Sequence, residues 1–403
     1  MRNPGEYTRA VHLPDPPSFT QQPIGLPVYR SAAFRFESSK EYADVLGDRR
    51  PGYSYGRIDN PTVDAFADAV AALEGVNLDH EVSGQAFASG MAAISTVFMT
   101  LGGAGAHVVA PAAVYGGTYG LFANVLSRFG VETDFVDITD LRAVRAAIRP
   151  TTRVLYAETL ANPTMAVADL PGLAALAKDA GAAFVVDSTF ASPVICRPLE
   201  HGADLVLHSA TKYIGGHSDA TGGVVVGDPE LIRAVRAVRV DTGGSLAPDE
   251  AFLLRRGIET LPLRVRRQCA TATVFAATVA RHPAVAKVDY PGLPGHPGHD
   301  LARRIFDVGP EGTRFGAIVT VSPHGGREAG QAFADRLRLA EIATSLGGTH
   351  TKVSHVASTT HRQMDDAALK AADIDPAAVR FSIGLEDAED LIADATTALD
   401  TLT

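Results

Sequence analysis

Between residues 107 and 226 the chain repeats a short apolar run followed by a helical stretch, and this rhythm constrains the fold more than any other feature. Strand-like runs fall at residues 107–110, 153–158, 182–187, 204–209 and 223–226, and helical spacing marks 117–129, 141–148 and 170–180. Strands separated by helices pair in parallel, because each crossover lays its helix on the sheet before the next strand begins. A strand covered on both faces is apolar without alternation, as Ala183-Phe184-Val185-Val186 is. The expected class is therefore α/β, a mostly parallel sheet with helices on both faces. Ligands of such sheets bind beyond the carboxyl ends of the strands.

With 403 residues, 46% of them hydrophobic, the chain exceeds what one core supports and has apolar mass for two. Residues 1–61 are rich in Pro, Gly, Tyr and Arg, lack sustained periodicity, and read as an extended arm of the kind that reaches another subunit. Val63, Phe66, Val70 and Leu73 recur at helical spacing up to Gly75 and open a domain assigned to 62–258. Residues 249–282 read as a long helix broken near Pro262, leading into a smaller α+β domain at 259–403. Its expected elements are strands at 317–322 and 379–383 and helices at 328–339 and 386–399.

Acidic residues outnumber basic ones, 46 to 36, and no Lys/Arg block stands out. That balance disfavours nucleic acid or an anionic membrane as the partner and leaves small molecules. Cys196 and Cys269 build neither a disulfide framework nor a metal pattern, which fits a reducing cytoplasm. The first 23 residues are polar and proline-rich, and nowhere do about eighteen apolar residues run together, so neither export nor membrane insertion is expected.

The chemistry gathers around His208-Ser209-Ala210-Thr211-Lys212-Tyr213-Ile214-Gly215-Gly216-His217. A lysine held after an apolar strand, between hydroxyls and glycines, can be desolvated, lose its proton and form a Schiff base with a carbonyl cofactor such as pyridoxal phosphate. In isolation the same lysine is an ordinary surface group. Such a cofactor needs a carboxylate at its ring nitrogen. Asp187, ending the 182–187 run, either fills that role or caps a turn, and Lys212 after another strand of the same sheet favours the first. For the phosphate, Ser89-Gly90-Met91 opens the apolar run 92–101, either as an N-cap or as an anion site at a helix start. Ser209 and Thr211 offer hydroxyls. Tyr55 and Arg57 are further phosphate ligands or plain arm residues. Tyr115, flanked by glycines, stacks on a ring or packs as any tyrosine does. Arg380 clamps a substrate carboxylate or forms a surface ion pair. His350, His355 and His361, like His296 and His299, lack the partners of a defined zinc site, so no metal is expected. Arg233, Arg236 and Arg239 read as a solvated helix face.

Taken together, GYSYGRIDNPT (52–62), SGMAA (89–93), VYGGTYGLF (114–122), ETLANPT (158–164), VVDSTF (185–190), HSATKYIGGH (208–217), SLGG (345–348), HVASTTH (355–361) and VRFSIGLED (379–387) resemble the Cys/Met-metabolism family of fold-type I pyridoxal-phosphate enzymes. That family contains cystathionine γ-synthases and lyases, methionine γ-lyases and homoserine-ester sulfhydrylases. The resemblance implies that domain 62–258 holds the cofactor, with Lys212 as the Schiff-base lysine, Asp187 on the pyridinium, and Tyr115 stacking and moving protons. It places Gly90, Met91, Ser209 and Thr211 on the phosphate, Tyr55 and Arg57 donated from the neighbouring subunit, and Asn162 near the phenolic oxygen. Ser345 and Arg380 match the substrate-carboxylate site, and a homotetramer of two catalytic dimers is implied.

The implied activity is γ-replacement or γ-elimination on a sulfur amino acid or an O-activated homoserine. Alternatives are a cystathionine β- or γ-lyase, a specialised secondary-metabolic enzyme working through a vinylglycine-type intermediate, transamination or β-elimination, and a non-enzymatic cofactor-binding homologue. Departures mark the substrate end. Gly117 replaces the cysteine and Val240 the aspartate of methionine γ-lyases, and Ser354 falls where cystathionine enzymes carry glutamate. Lys352 and Val356 replace the usual apolar residue and proline.

Overall fold

The computed structural model describes residues 21–359, 369 and 374–402. Seven strands form the larger sheet: β1 Ser83–Phe87, β2 His107–Pro111, β3 Glu132–Val136, β4 Thr152–Glu158, β5 Ala183–Asp187, β6 Leu205–Ser209 and β7 Gly223–Gly227. Their order is β1-β7-β6-β5-β4-β2-β3, and only β7 runs against the rest. Residues alternate between two cores. Leu155, Phe184 and Val186 pack into one apolar cluster, while Val154, Tyr156 and Val185 pack into another on the opposite face. The sheet is thus covered on both sides, as its unalternating apolar strands require.

Two strands of this larger sheet escape the sequence pattern for physical reasons. β1 has the sequence SGQAF, which lacks β-branched residues and carries a glycine. β3 is an edge strand with no buried residue, so its hydrophobic signal is weak. A helix at Ser39–Leu46, capped by the Ser38 side chain, also lies within a segment expected to be extended.

The helix–helix link of residues 249–282 resolves into Pro248–Ile258 and Leu261–Val279, with Pro262 in the first turn of the second, where a missing N–H costs nothing. Beyond it stand β8 Val285–Asp289, a small hairpin of β9 Val308–Gly309 and β10 Gly312–Thr313, then β11 Ile318–Pro323, β12 Glu341–Ile342, β13 Lys352–His355 and β14 Val379–Ser382. The second sheet has the order β12-β13-β14-β11-β8. Every pairing in it is antiparallel except β12 with β13.

The helix Pro229–Thr242 corrects one expectation. Arg233 is exposed, but Arg239 is only 2% exposed. Its guanidinium donates to the carbonyls of Arg57 and Ile58 and lies 3.3 Å from Asp59, and Arg236 pairs with Asp59 as well. The segment 57–59 folds over this helix and supplies the acceptors, so a face that looks solvated in the sequence binds the start of the chain to the sheet domain.

Candidate active site

Lys212 lies three residues beyond β6, and its Nζ donates to Ser345 Oγ at 2.8 Å. Burial pushes the ammonium down to about 8, and the positive charges of Arg380 and Lys352 push in the same direction. The neighbouring strand β5 ends in Asp187, paired in register with Leu207 of β6. Asp187 Oδ1 accepts from the Thr189 N–H at 2.9 Å, and Thr189 Oγ1 in turn accepts from the Ser209 N–H at 2.8 Å. Burial raises the carboxyl of Asp187, and the bonds from Thr189 oppose it.

The helix Gly90–Leu101 starts against β6. Ser89 caps it through Ala92 N–H at 3.1 Å. A Cβ on Gly90 would lie 2.8 Å from Ser209 Cβ, so only glycine lets the helix start approach the strand end this closely. Met91 and Tyr115 meet at Gly117, where an added Cβ would fall 3.1 Å from Met91 Sδ and 2.6 Å from Tyr115 Cε1. Tyr115 is exposed. Thr211, by contrast, has its hydroxyl engaged with the backbone of Gly222, accepting at 3.0 Å and donating at 3.3 Å.

The second sheet delivers the other wall. Arg380 on β14 is buried, donates from Nη1 to Asn162 Oδ1 at 2.8 Å and from Nη2 to the Ser345 carbonyl at 3.4 Å, and leaves Nε without a partner. Ser345 holds φ at +78°, a left-handed conformation that a non-glycine residue adopts at a cost of order 1 kcal/mol. The strain is held in place by its neighbours. Gly347 packs against the backbone of Tyr213, where a Cβ would fall 2.7 Å from the amide nitrogen, and its N–H donates to Ser382 Oγ at 2.8 Å. Asn162, Arg380, Ser345 and Lys212 are therefore linked across the two sheets.

The structure brings together Gly90, Met91, Tyr115, Asn162, Asp187, Ser209, Thr211, Lys212, Ser345 and Arg380 along these elements. Tyr55 and Arg57 stand apart. Arg57 donates to the Val240 carbonyl and sits 5.9 Å from the Tyr55 ring centroid, and no bond joins either residue to the Lys212 cluster. His355 bonds Ser358 and the Pro376 carbonyl, and His361 lies outside the described residues.

Sequence reasoning missed Glu158 as a site residue. It ends β4 beside Asp187, is buried, and accepts the Tyr115 N–H at 2.8 Å. Burial and the nearby Asp187 raise it to about 8. Its place at the carboxyl end of an apolar strand was the available signal, the same one that marks Asp187.

A desolvated lysine beside a partnerless arginine donor suits an enzyme that handles amino acids through a carbonyl cofactor. Residues 7–400 match the family of Cys/Met metabolism PLP-dependent enzymes, and the chain belongs to it. It is 40% identical over 398 residues to the L-methionine gamma-lyase of Pseudomonas putida, covering 98% of this chain and 97% of that one. Its identity to the cystathionine gamma-synthase of Mycobacterium bovis is 39% over 396 residues, again 98% and 97% of the two chains. A solved structure of a provisionally assigned O-acetylhomoserine (thiol)-lyase from Campylobacter jejuni, bearing N'-pyridoxyl-lysine-5'-monophosphate, superposes with a TM-score of 0.89 at 30% identity, covering 95% of this chain and 96% of that one. The residues here suit that group. Asp187 is a partly buried carboxylate with no cation in ion-pair distance among the described residues, and the glycine-tight helix start lies against Ser209.

Proposed function

We propose that this chain carries out γ-replacement or γ-elimination on a sulfur amino acid or an O-activated homoserine, with pyridoxal phosphate held at Lys212. The observation that carries the reading is the Lys212–Ser345–Arg380–Asn162 chain of bonds, which sets a lysine of lowered proton affinity next to a guanidinium with a free donor. Asp187 would face the ring nitrogen, and Gly90, Met91, Ser209 and Thr211 would hold the phosphate. Thr211 would do so by releasing a hydroxyl now bonded to Gly222. When bound, the cofactor supplies an electron sink for the carbanion formed at the substrate Cα.

The chain's own residues would do the rest. Arg380 orients the substrate carboxylate through its unpartnered Nε and its Nη2, while Asn162 fixes the guanidinium from the other side. Lys212 Nζ, poised near neutrality, takes the Cα proton and then moves a proton at Cβ. Tyr115 Oη, exposed above the glycine turn, assists departure of the γ substituent as a proton donor. Glu158 fixes the Tyr115 backbone so that the ring can lie over the site.

Tyr55 and Arg57 would reach the phosphate of a neighbouring copy, since in their own protomer Arg57 bonds the Val240 carbonyl of the Pro229–Thr242 helix and neither bonds the Lys212 cluster. The assembly would be a homotetramer of two such dimers, working in the cytoplasm, with residues 1–61 as the exchanged arm, 62–258 the cofactor domain and 259–403 the smaller domain. Incubation with O-acetylhomoserine plus sulfide, O-succinylhomoserine plus cysteine, and methionine alone, with products identified by mass, tests the reading. A γ-substituted amino acid, or 2-oxobutanoate with ammonia, is expected from at least one; pyruvate or a pyridoxamine product would contradict it.

A further inference from the structure

Lys352 is a buried cation that nothing in the proposed catalytic steps uses. It is 9% exposed, and its Nζ donates to Ser218 Oγ at 2.6 Å. Ser218 stands six residues after Lys212 and holds φ at +62°, a second strained non-glycine residue besides Ser345, on the opposite side of the site. Gly348 lies against the pair. A Cβ there would fall 3.0 Å from Ser218 Oγ and 3.4 Å from Lys352 Nζ. The ammonium is thus packed between Ser218 and Gly348 rather than laid on the surface.

The strand register fixes its direction. Lys352 pairs with Ser382, and Ser354 pairs with Arg380, so all four side chains share one face of the second sheet. Arg380 and Ser382 on that face bond Ser345 and Gly347, the loop that touches Lys212. Lys352 therefore lies on the same face as Arg380, and its charge is felt at Lys212. Ser354, 6% exposed, has a hydroxyl with no partner.

No carboxylate lies within ion-pair distance of Lys352 or Arg380 among the described residues. A buried charge without a counter-ion is costly, and the cost is recovered when a ligand supplies one. Arg380 accounts for one anion, the substrate's α-carboxylate. A second cation on the same face, with the Ser218 hydroxyl on it and the Ser354 hydroxyl two residues along the same strand face, calls for a second anion.

We infer that Lys352, with Ser218 and Ser354, forms a second anion site that selects amino acids whose side chain ends in a negatively charged group, a carboxylate or a phosphate. This rests on the γ-chemistry proposed above for the identity of the substrate, though not for the existence of the site. The geometry assigns Arg380 to the end of the substrate that every amino acid shares and Lys352 to the end that distinguishes them. Neutral side chains of similar length leave Lys352 unsatisfied and bind more weakly.

The test compares the holoenzyme with Lys352→Leu, Lys352→Gln and Lys352→Arg. The glutamine variant can still bond Ser218, so it reports on charge if the leucine variant fails to fold. Binding is read first, by thermal shift and by perturbation of the cofactor's visible absorbance, using glutarate and valerate as probes of equal carbon count. The wild type is expected to bind glutarate at least tenfold more tightly than valerate, with the ratio falling below threefold in Lys352→Gln and Lys352→Leu and retained in Lys352→Arg. The second reading is the kcat/KM ratio of O-succinylhomoserine and of O-phosphohomoserine over O-acetylhomoserine. It should drop at least tenfold in the neutral variants for whichever anion the site takes, which separates carboxylate from phosphate. Equal binding of glutarate and valerate by the wild type, or a glutarate preference unchanged in both neutral variants, overturns the inference. If the preference follows Lys352 but neither the esters nor methionine turn over, the anion site stands and the γ-chemistry falls.

Discussion

The two walls of the site are built differently. The wall from the large sheet ends three adjacent parallel strands in side chains of the proposed site, Glu158, Asp187 and Ser209, with Lys212 just beyond. Its geometry is set by strand register and by two apolar cores. The wall from the second sheet is a loop and two antiparallel strands that carry Ser345, Lys352 and Arg380, with Ser345 in a left-handed backbone conformation and both cations felt at Lys212. Rigid strand ends suit a cofactor that is the same in every turnover, whereas a loop with a strained position accommodates change in what the substrate carries.

If that division is right, substitutions in the two walls fail in different ways. The largest effect is expected at Lys212. Lys212→Ala should lower kcat by about a thousandfold or more, since the proposed mechanism routes both proton transfer and cofactor attachment through Nζ, and steady-state assays with cofactor in excess check it. Arg380→Leu should instead weaken kcat/KM by roughly a hundredfold, mainly through KM, because it removes the proposed donor to the substrate carboxylate and leaves Asn162 Oδ1 unpaired. Equal losses in kcat from both variants would erase the distinction between the walls.

A smaller effect tests what braces the first wall. Arg239→Met removes the donor to the Arg57 and Ile58 carbonyls and one partner of Asp59, and should cost about 3 kcal/mol of stability by denaturant titration while also loosening residues 57–59. An unchanged midpoint would show that the arm is held elsewhere.

The smallest effect is a pH dependence at Glu158. Its folded proton affinity is raised to about 8, so the folded state binds a proton that the unfolded chain has already released. This contribution is fully present below the ordinary glutamate range and is lost as pH rises through 8. Glu158→Gln, neutral at every pH and still able to accept the Tyr115 N–H, should therefore match the wild type near pH 5 and become the more stable protein near pH 9. Thermal melts at the two pH values check this, and Glu158→Ala, which strands the Tyr115 N–H, should be less stable at both by about 1 to 3 kcal/mol.

The same contrast explains what could be read from the chain alone. The parallel sheet announced itself through continuous apolar strands, and Asp187, Ser209 and Lys212 could be placed because the ends of such strands are where ligands bind. β1 and β3 stayed hidden, one for want of β-branched residues and the other because an edge strand needs little hydrophobicity. Arg239 was misjudged because its counter-charges come from residues about 180 positions earlier in the chain. Ser354 and Lys352 stood out only as departures from a pattern. It takes the register of β13 against β14 to put them on one face with Arg380.

The most direct test of the account concerns which lysine carries the cofactor, since the charge of Lys352 is felt at Lys212. Borohydride reduction of the holoenzyme fixes a pyridoxyl group on the attached lysine, and peptide mass mapping locates it. A single modified peptide containing Lys212 is expected, with the peptide containing Lys352 unmodified. Label on Lys352, or no site-specific label at all, would contradict it.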